Sequence, residues 1–239
     1  SEAFYEPLPE GKEATFRGKT YAAGIKADWR PSQLVHFCIC RRVSVRDVTI
    51  VDAPFTNLFL QACEHVQVRG ITITQPPASH SDGIVVDYSQ NVTISDCRVT
   101  TGDDCVCIFT RRRDALGDAA VACRNVTVSN CILQTACNAI RLGVGDGEVS
   151  NCAFSNIVIP ESRTGISIVS RWTERAHITH GATVEQVRFS NIIADVCMPF
   201  VIDVGPGAAR PGAIRDVSLS GLSLITSAGS QLVESPEVP

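Results

Sequence analysis

The sequence predicts an all-β solenoid, a parallel β-helix of about seven or more coils. Three observations point to it. One eight-residue pattern recurs seven times. Each copy changes phase at a single residue that tolerates a left-handed backbone. A second family of short apolar strands lies between the copies.

The pattern begins as Val43-Ser-Val45-Arg-Asp47-Val48-Thr-Ile50. It returns from Val66 to Ile73, Val92 to Val99, Val126 to Leu133, Cys152 to Ile159, Val187 to Ala194 and Val217 to Leu224. The steps between first residues are 23, 26, 34, 26, 35 and 30. Apolar residues fill the first, third, sixth and eighth positions, a period of two that marks a strand with one buried face. The fifth position reads Asp47, Gly70, Asp96, Asn130, Asn156, Asn191 and Gly221. Each copy is therefore two short strands meeting at a one-residue bend, both apolar faces inward. Between the copies lie Asn57–Leu60, Gly83–Val86, Cys105–Ile108, Ala139–Leu142, Gly165–Ile168 and Phe200–Asp203. Three strands per turn describe a β-helix, whose coils bury their apolar face only by stacking. A sandwich, the other all-β solution, does not explain the repeated bend.

Composition agrees. Of 239 residues 44% are hydrophobic and only 6% aromatic, with a single Met. Val, Ile, Leu, Ala and Cys supply the apolar mass, which suits identical small slots. The 21 Lys+Arg against 25 Asp+Glu give −4, too balanced to indicate a nucleic-acid partner. No apolar run reaches the ~18 residues that suggest a membrane span. Ser1-Glu2-Ala3-Phe4-Tyr5 is not a basic-then-apolar leader, although a leader could have been removed.

The 11 cysteines read first as small buried hydrophobes in the stack, with Cys97 and Cys131 in one inward slot of successive copies. Disulfides between coils are the alternative. No CxxC pair is present. Asn91-Val-Thr93 and Asn125-Val-Thr127 fit the glycosylation sequon, but both Asn hold one turn position of neighbouring coils and could form a side-chain ladder.

The chemistry concentrates at His80-Ser81-Asp82-Gly83 and Gly102-Asp103-Asp104-Cys105. Asp82 and Asp104 each precede a middle strand, so they should stack on adjacent coils beside Asp103. Converging carboxylates repel, and at least one should have a raised pKa, which suits general acid work. A calcium site or solvated turn aspartates would use the same residues.

These motifs resemble glycoside hydrolase family 28, the polygalacturonase-like right-handed parallel β-helices. Trp29-Arg30-Pro31 through Ile50 resembles its first coil, Ser81-Asp82-Gly83-Ile84 its Asn-Thr-Asp-Gly motif, and Gly102-Asp103-Asp104-Cys105-Val106 its Asp-Asp-Cys motif. The resemblance spans roughly residues 29 to 225. It implies a secreted or periplasmic hydrolase of a polysaccharide, with a carbohydrate as partner and no cofactor or metal. The unpaired cysteines leave a cytoplasmic site open. It implies inversion, with Asp103 protonating the leaving oxygen while Asp82 and Asp104 activate water. An inverting pair stands about 6.5–9.5 Å apart.

Two motifs depart. Asn138, in Cys137-Asn138-Ala139, stands where the family has His, and Ser167-Ile168-Val169 stands where it has Arg-Ile-Lys. The residues expected to bind substrate are Asn138 itself, Arg141, one coil before Ser167, and Arg171, Trp172, Asp203 and His80. The other readings are a glycan-binding or structural β-helix that has lost catalysis, and a lyase or epimerase, which the lack of Lys on the middle strands disfavours. The expected organisation is an N-terminal cap segment 1–28, a β-helix domain 29–228 and a tail 229–239.

Overall fold

In a computed structural model, residues 33–53, 55–74, 80–111, 116–171, 181–205 and 213–226 are described in full, with short strands at 5–7, 14–16, 19–21, 23–25 and 231–234. The described residues wind as a right-handed parallel β-helix of seven stacked coils, with Gln231–Glu234 adding an eighth strand to one ladder. Near the N-terminus, Tyr5–Pro7 pairs antiparallel with Ala23–Ile25, and Ala14–Phe16 with Lys19–Tyr21. How the expected cap and tail pack lies outside the described residues. One short 3-10 turn, Gly117–Ala119, interrupts the β structure. No described helix is long and apolar enough to cross a membrane.

Three ladders run the length of the solenoid. The middle ladder joins Val35–Cys38, Leu58–Gln61, Ile84–Asp87, Val106–Thr110 and Asn138–Gly145, then the ends of Glu148–Ser170 and Thr183–Val204, then Gln231–Glu234. The second joins Arg41–Arg46, Glu64–Arg69, Gln90–Ser95 and the first parts of the long strands that follow. The third joins Thr49–Val51, Thr72–Thr74 and Arg98–Thr101, then the middles of those long strands. Side chains alternate in and out, so inward Leu58, Ile84, Val106 and Ile140 form one buried row. The Phe154 and Phe189 rings, among the largest fully buried groups, stack at 4.9 Å with 16° between planes. All 11 cysteines are free, and seven are buried in the stack.

The bend residues adopt the conformation the repeat requires: φ lies between 53° and 63° at Asp47, Gly70, Asp96, Asn130, Asn156, Asn191 and Gly221. A Cβ on Gly70 would lie 2.6 Å from Asp47 Oδ1, so the carboxylate above it fills the space of a side chain. A second left-handed column, one residue before each copy, holds Arg42, His65, Asn91, Asn125, Asn151, Gln186 and Asp216. Amides chain both columns. Asn156 donates to Asn130 at 3.2 Å and Asn130 to Asp96 at 3.3 Å. In the other column Asn151 donates to Asn125 at 3.2 Å and Asn125 to Asn91 at 2.8 Å.

Asn130→Val loses two rungs and places a β-branched residue in the left-handed region. It is expected to cost about 2–3 kcal/mol in chemical denaturation. Asn130→Gly, which keeps the backbone, should cost about 1 kcal/mol or less.

Candidate active site

Residues two before the aligned Leu58, Ile84, Val106 and Ile140 form a column: Thr56, Asp82, Asp104 and Asn138. Backbone bonds fix it, from Asn57 N–H to Asp82 O at 2.9 Å, Gly83 N–H to Asp104 O at 2.8 Å and Cys105 N–H to Asn138 O at 3.0 Å. Gly83 is needed there, because a Cβ would meet Cys105 O at 2.4 Å and the Val99 side chain at 2.5 Å. The next outward row along the same ladder reads His36, Phe59, Val85, Cys107, Arg141, Ser167 and Val201.

Asp104 is only 2% exposed. Its Oδ1 accepts the Asn138 side-chain amide at 2.6 Å and the Asn138 backbone N–H at 3.2 Å. Its Oδ2 pairs with Arg141 at 3.1 Å. Burial works against the Arg141 cation, but Asp104 more than offsets it and holds the guanidinium above its ordinary pKa. The residue expected to reach a sugar carboxylate thus holds a carboxylate of the protein. Its side chain is still 33% exposed.

Asp103 is half-buried. Its Oδ1 accepts the Asp104 N–H at 3.0 Å and its Oδ2 the His80 N–H at 2.8 Å. Thr101 donates to its carbonyl at 2.6 Å, and Thr135 donates there as well. His80 therefore meets the acid cluster through its backbone, while its ring stacks on Phe55 at 5.8 Å.

Asp82 accepts a hydrogen bond from Thr56 at 3.3 Å. Burial first, then the charges of Asp103 and Asp104, push its pKa up to about 8, against a smaller opposing pull from Arg111. The raised carboxyl expected among the three is Asp82. Its proton is bound more tightly in the folded chain than in the unfolded one, where the pKa is near 3.8. Stability should therefore fall as pH rises from about 4 to about 8. Asp82→Asn removes that slope, so its thermal midpoint should gain on the wild type between pH 5 and pH 8.

The ligand atoms of Asp82, Asp104 and Cys107 lie within 4.8 Å of one another, as do those of Asp103, Asp104 and Cys137. Asp104 belongs to both groups. Its ligand oxygens lie no more than 4.8 Å from those of the other two carboxylates, shorter than the roughly 6.5–9.5 Å of an inverting pair. These donor sets could hold a cation, but the Arg141 guanidinium already neutralises the carboxylate they share.

Arg171 and Asp203, two and three coils beyond Asp104 on the middle ladder, pair with each other at 2.9 Å. No contact among the described residues joins them to the aspartates. Trp172 lies outside the described residues. Sequence reasoning did not single out Thr56, Cys107 or Thr135. Thr56 was available by counting back two residues from Leu58. Cys107 sits buried beside the acids, and its thiol is pushed up by desolvation and then by Asp82 and Asp104. The Arg111 guanidinium lies 4.3 Å over the Phe109 ring, at the end of the strand that Asp104 precedes.

Residues 17–116 match the family model described as glycosyl hydrolases family 28. A probable polygalacturonase of Arabidopsis thaliana is 22% identical over 82% of this chain and 50% of its own length. An exopolygalacturonase of Platanus acerifolia is 33% identical over 79% of this chain and 40% of its own. Among solved structures, a hyperthermoactive exopolygalacturonase from Thermotoga maritima superposes with a TM-score of 0.67 at 23% identity, over 82% of this chain and 44% of that one. The polygalacturonase of Erwinia carotovora gives 0.62 at 19%, over 79% and 55%. The chain spans about half the length of the curated relatives it matches. The resemblance to family 28 read from the motifs holds in both comparisons of sequence, and the fold holds in the comparison of structures.

Proposed function

We propose that the chain forms the catalytic face of a glycoside hydrolase that cleaves a pectic, uronide-containing polysaccharide with inversion. The observation that carries this reading is the column Thr56–Asp82–Asp104–Asn138 with Asp103 beside it: three carboxylates, one of which keeps a proton near neutral pH. One protonated carboxyl with further carboxyl groups beside it is the inventory that inversion needs. A water oxygen bonds to the anomeric carbon as the glycosidic C–O bond breaks. The acid gives its proton to the leaving oxygen, and the base takes one from the water. Because Asp104 sits close to both others, Asp82 and Asp103 are the acid–base pair, with Asp104 holding the water between them.

In the resemblance-based assignment Asp103 is the acid and Asp82 acts with Asp104 on the water. The hydrogen bonds favour the exchanged roles. Asp103 accepts a backbone N–H on each oxygen and so is engaged as an acceptor, whereas burial favours a neutral Asp82. An aryl glycoside of galacturonic acid separates the two, because its leaving group departs without protonation. The acid variant should keep most of its turnover on the aryl glycoside and lose it on the polysaccharide. The base variant should lose both. Asp82→Asn and Asp103→Asn are to be compared in this way. Wild-type turnover by either variant on the polysaccharide overturns its role.

A glycan-binding role without catalysis is the second reading, favoured by the closed Asn138–Asp104–Arg141 contact. It requires binding without reducing-end release across a panel of pectic and other glycans. Release of reducing ends by the wild type excludes it.

A further inference from the structure

A groove of about 330 Å³ lies on the second ladder, away from the aspartates, and is lined by Arg42, Ser44, His65, Gln67, Asn91 and Thr93 among others. Its shape follows from the repeat. Arg42, His65 and Asn91 occupy one column of successive coils, each with φ between 56° and 59°, so their side chains leave the backbone in the same direction. Ser44, Gln67 and Thr93 form the parallel outward row.

The groove begins where an amide ladder stops. Asn151 donates to Asn125 and Asn125 donates to Asn91 Oδ1, so the ladder presents the Asn91 amide N–H₂ to the next coil. There the column changes from Asn to His65 and then Arg42. Hydrogen bonds in series polarise one another, which strengthens the last donor. The nearby carboxylate, Glu64, is engaged by Arg41 at 2.7 Å and by His65 at 3.4 Å. Arg42 makes no ion pair among the described residues. Arg46 donates to Gln67 Oε1 at 2.9 Å, which orients the Gln67 amide group. A terminal amide donor, a guanidinium and hydroxyl groups facing one polar groove suit a planar anion that also carries hydroxyls.

We propose that this groove is a second glycan site, one that takes the carboxylate of a uronide unit on Arg42 and the Asn91 amide. The choice of uronide rests on the pectic reading above; the anion site itself does not. The probe is monomeric galacturonate, which contains no glycosidic bond to cleave, titrated into the full chain. The expected result is a saturable shift of the Asn91 side-chain amide resonance, with affinity weakened roughly fivefold or more in Arg42→Ala. Arg42 is exposed and outside the aspartate site, so Arg42→Ala should cleave polysaccharide at the wild-type rate. Three results overturn the proposal: no shift of Asn91, an equal shift with neutral galactose, or unchanged affinity in Arg42→Ala. Inorganic phosphate that displaces galacturonate at equal concentration overturns the uronide assignment and leaves a general anion site. If hydrolysis is absent but Asn91 still responds to galacturonate, the pectic hydrolase reading fails and this site stands.

Discussion

Asp104→Asn lowers kcat/KM on the pectic polysaccharide by about three orders of magnitude, within the range that positioned acid–base groups contribute. Asp104 is the carboxylate shared by both acid groups, and it faces Asn138 on one oxygen and Arg141 on the other. An amide cannot pair with a guanidinium as a carboxylate does, so Arg141 loses its counter-ion. The charge next to Asp82 falls too, and the Asp82 pKa should drop toward the ordinary carboxylate range, because Asp104 is one of the charges that raises it. Reducing-end assays across pH check both effects. Turnover should collapse, and the residual pH profile should move to lower pH. A variant that folds with a wild-type thermal midpoint and keeps wild-type turnover would remove Asp104 from the mechanism.

Phe154→Ala should cost about 3–5 kcal/mol, the range for deleting a buried aromatic ring. Phe154 is fully buried and stacked on Phe189 of the next coil. Truncation removes the ring and leaves one face of Phe189 without a partner. The slots above and below are set by ladder register, so the coil cannot collapse sideways to fill the cavity. At roughly 2–4 °C per kcal/mol for a chain of this size, the thermal midpoint should fall by about 6–20 °C. Phe154→Leu, which retains most of the volume, should lose less than half as much. Denaturant titration of both variants checks the order.

The architecture was legible because a solenoid writes its geometry into the sequence many times over. Seven copies of one phase change gave the bend, and φ is positive at all seven positions. Asp82, Asp103 and Asp104 were legible for the same reason, as positions at the start of middle strands. The partners were harder to read. Arg141 was placed correctly one coil before Ser167, yet nothing in the repeat indicated that Asp104 would be within its reach. His80 was read as a side chain near the acids, whereas it contributes a backbone N–H. Side-chain direction and hydrogen-bond choice depend on atoms brought together from different coils, and no local pattern records them. Arg171 and Asp203 illustrate the opposite case: they share the expected face, but their nearest opposite charges are each other.

The ladder of backbone bonds also couples the acids mechanically. Each coil touches only its neighbours, so a local opening spreads along the stack one turn at a time. Asp82 and Asp104 stand on adjacent coils, tied by the bond from Gly83 N–H to Asp104 O at 2.8 Å. Slippage between those two coils separates the carboxylates directly, whereas an opening several turns away leaves them in place.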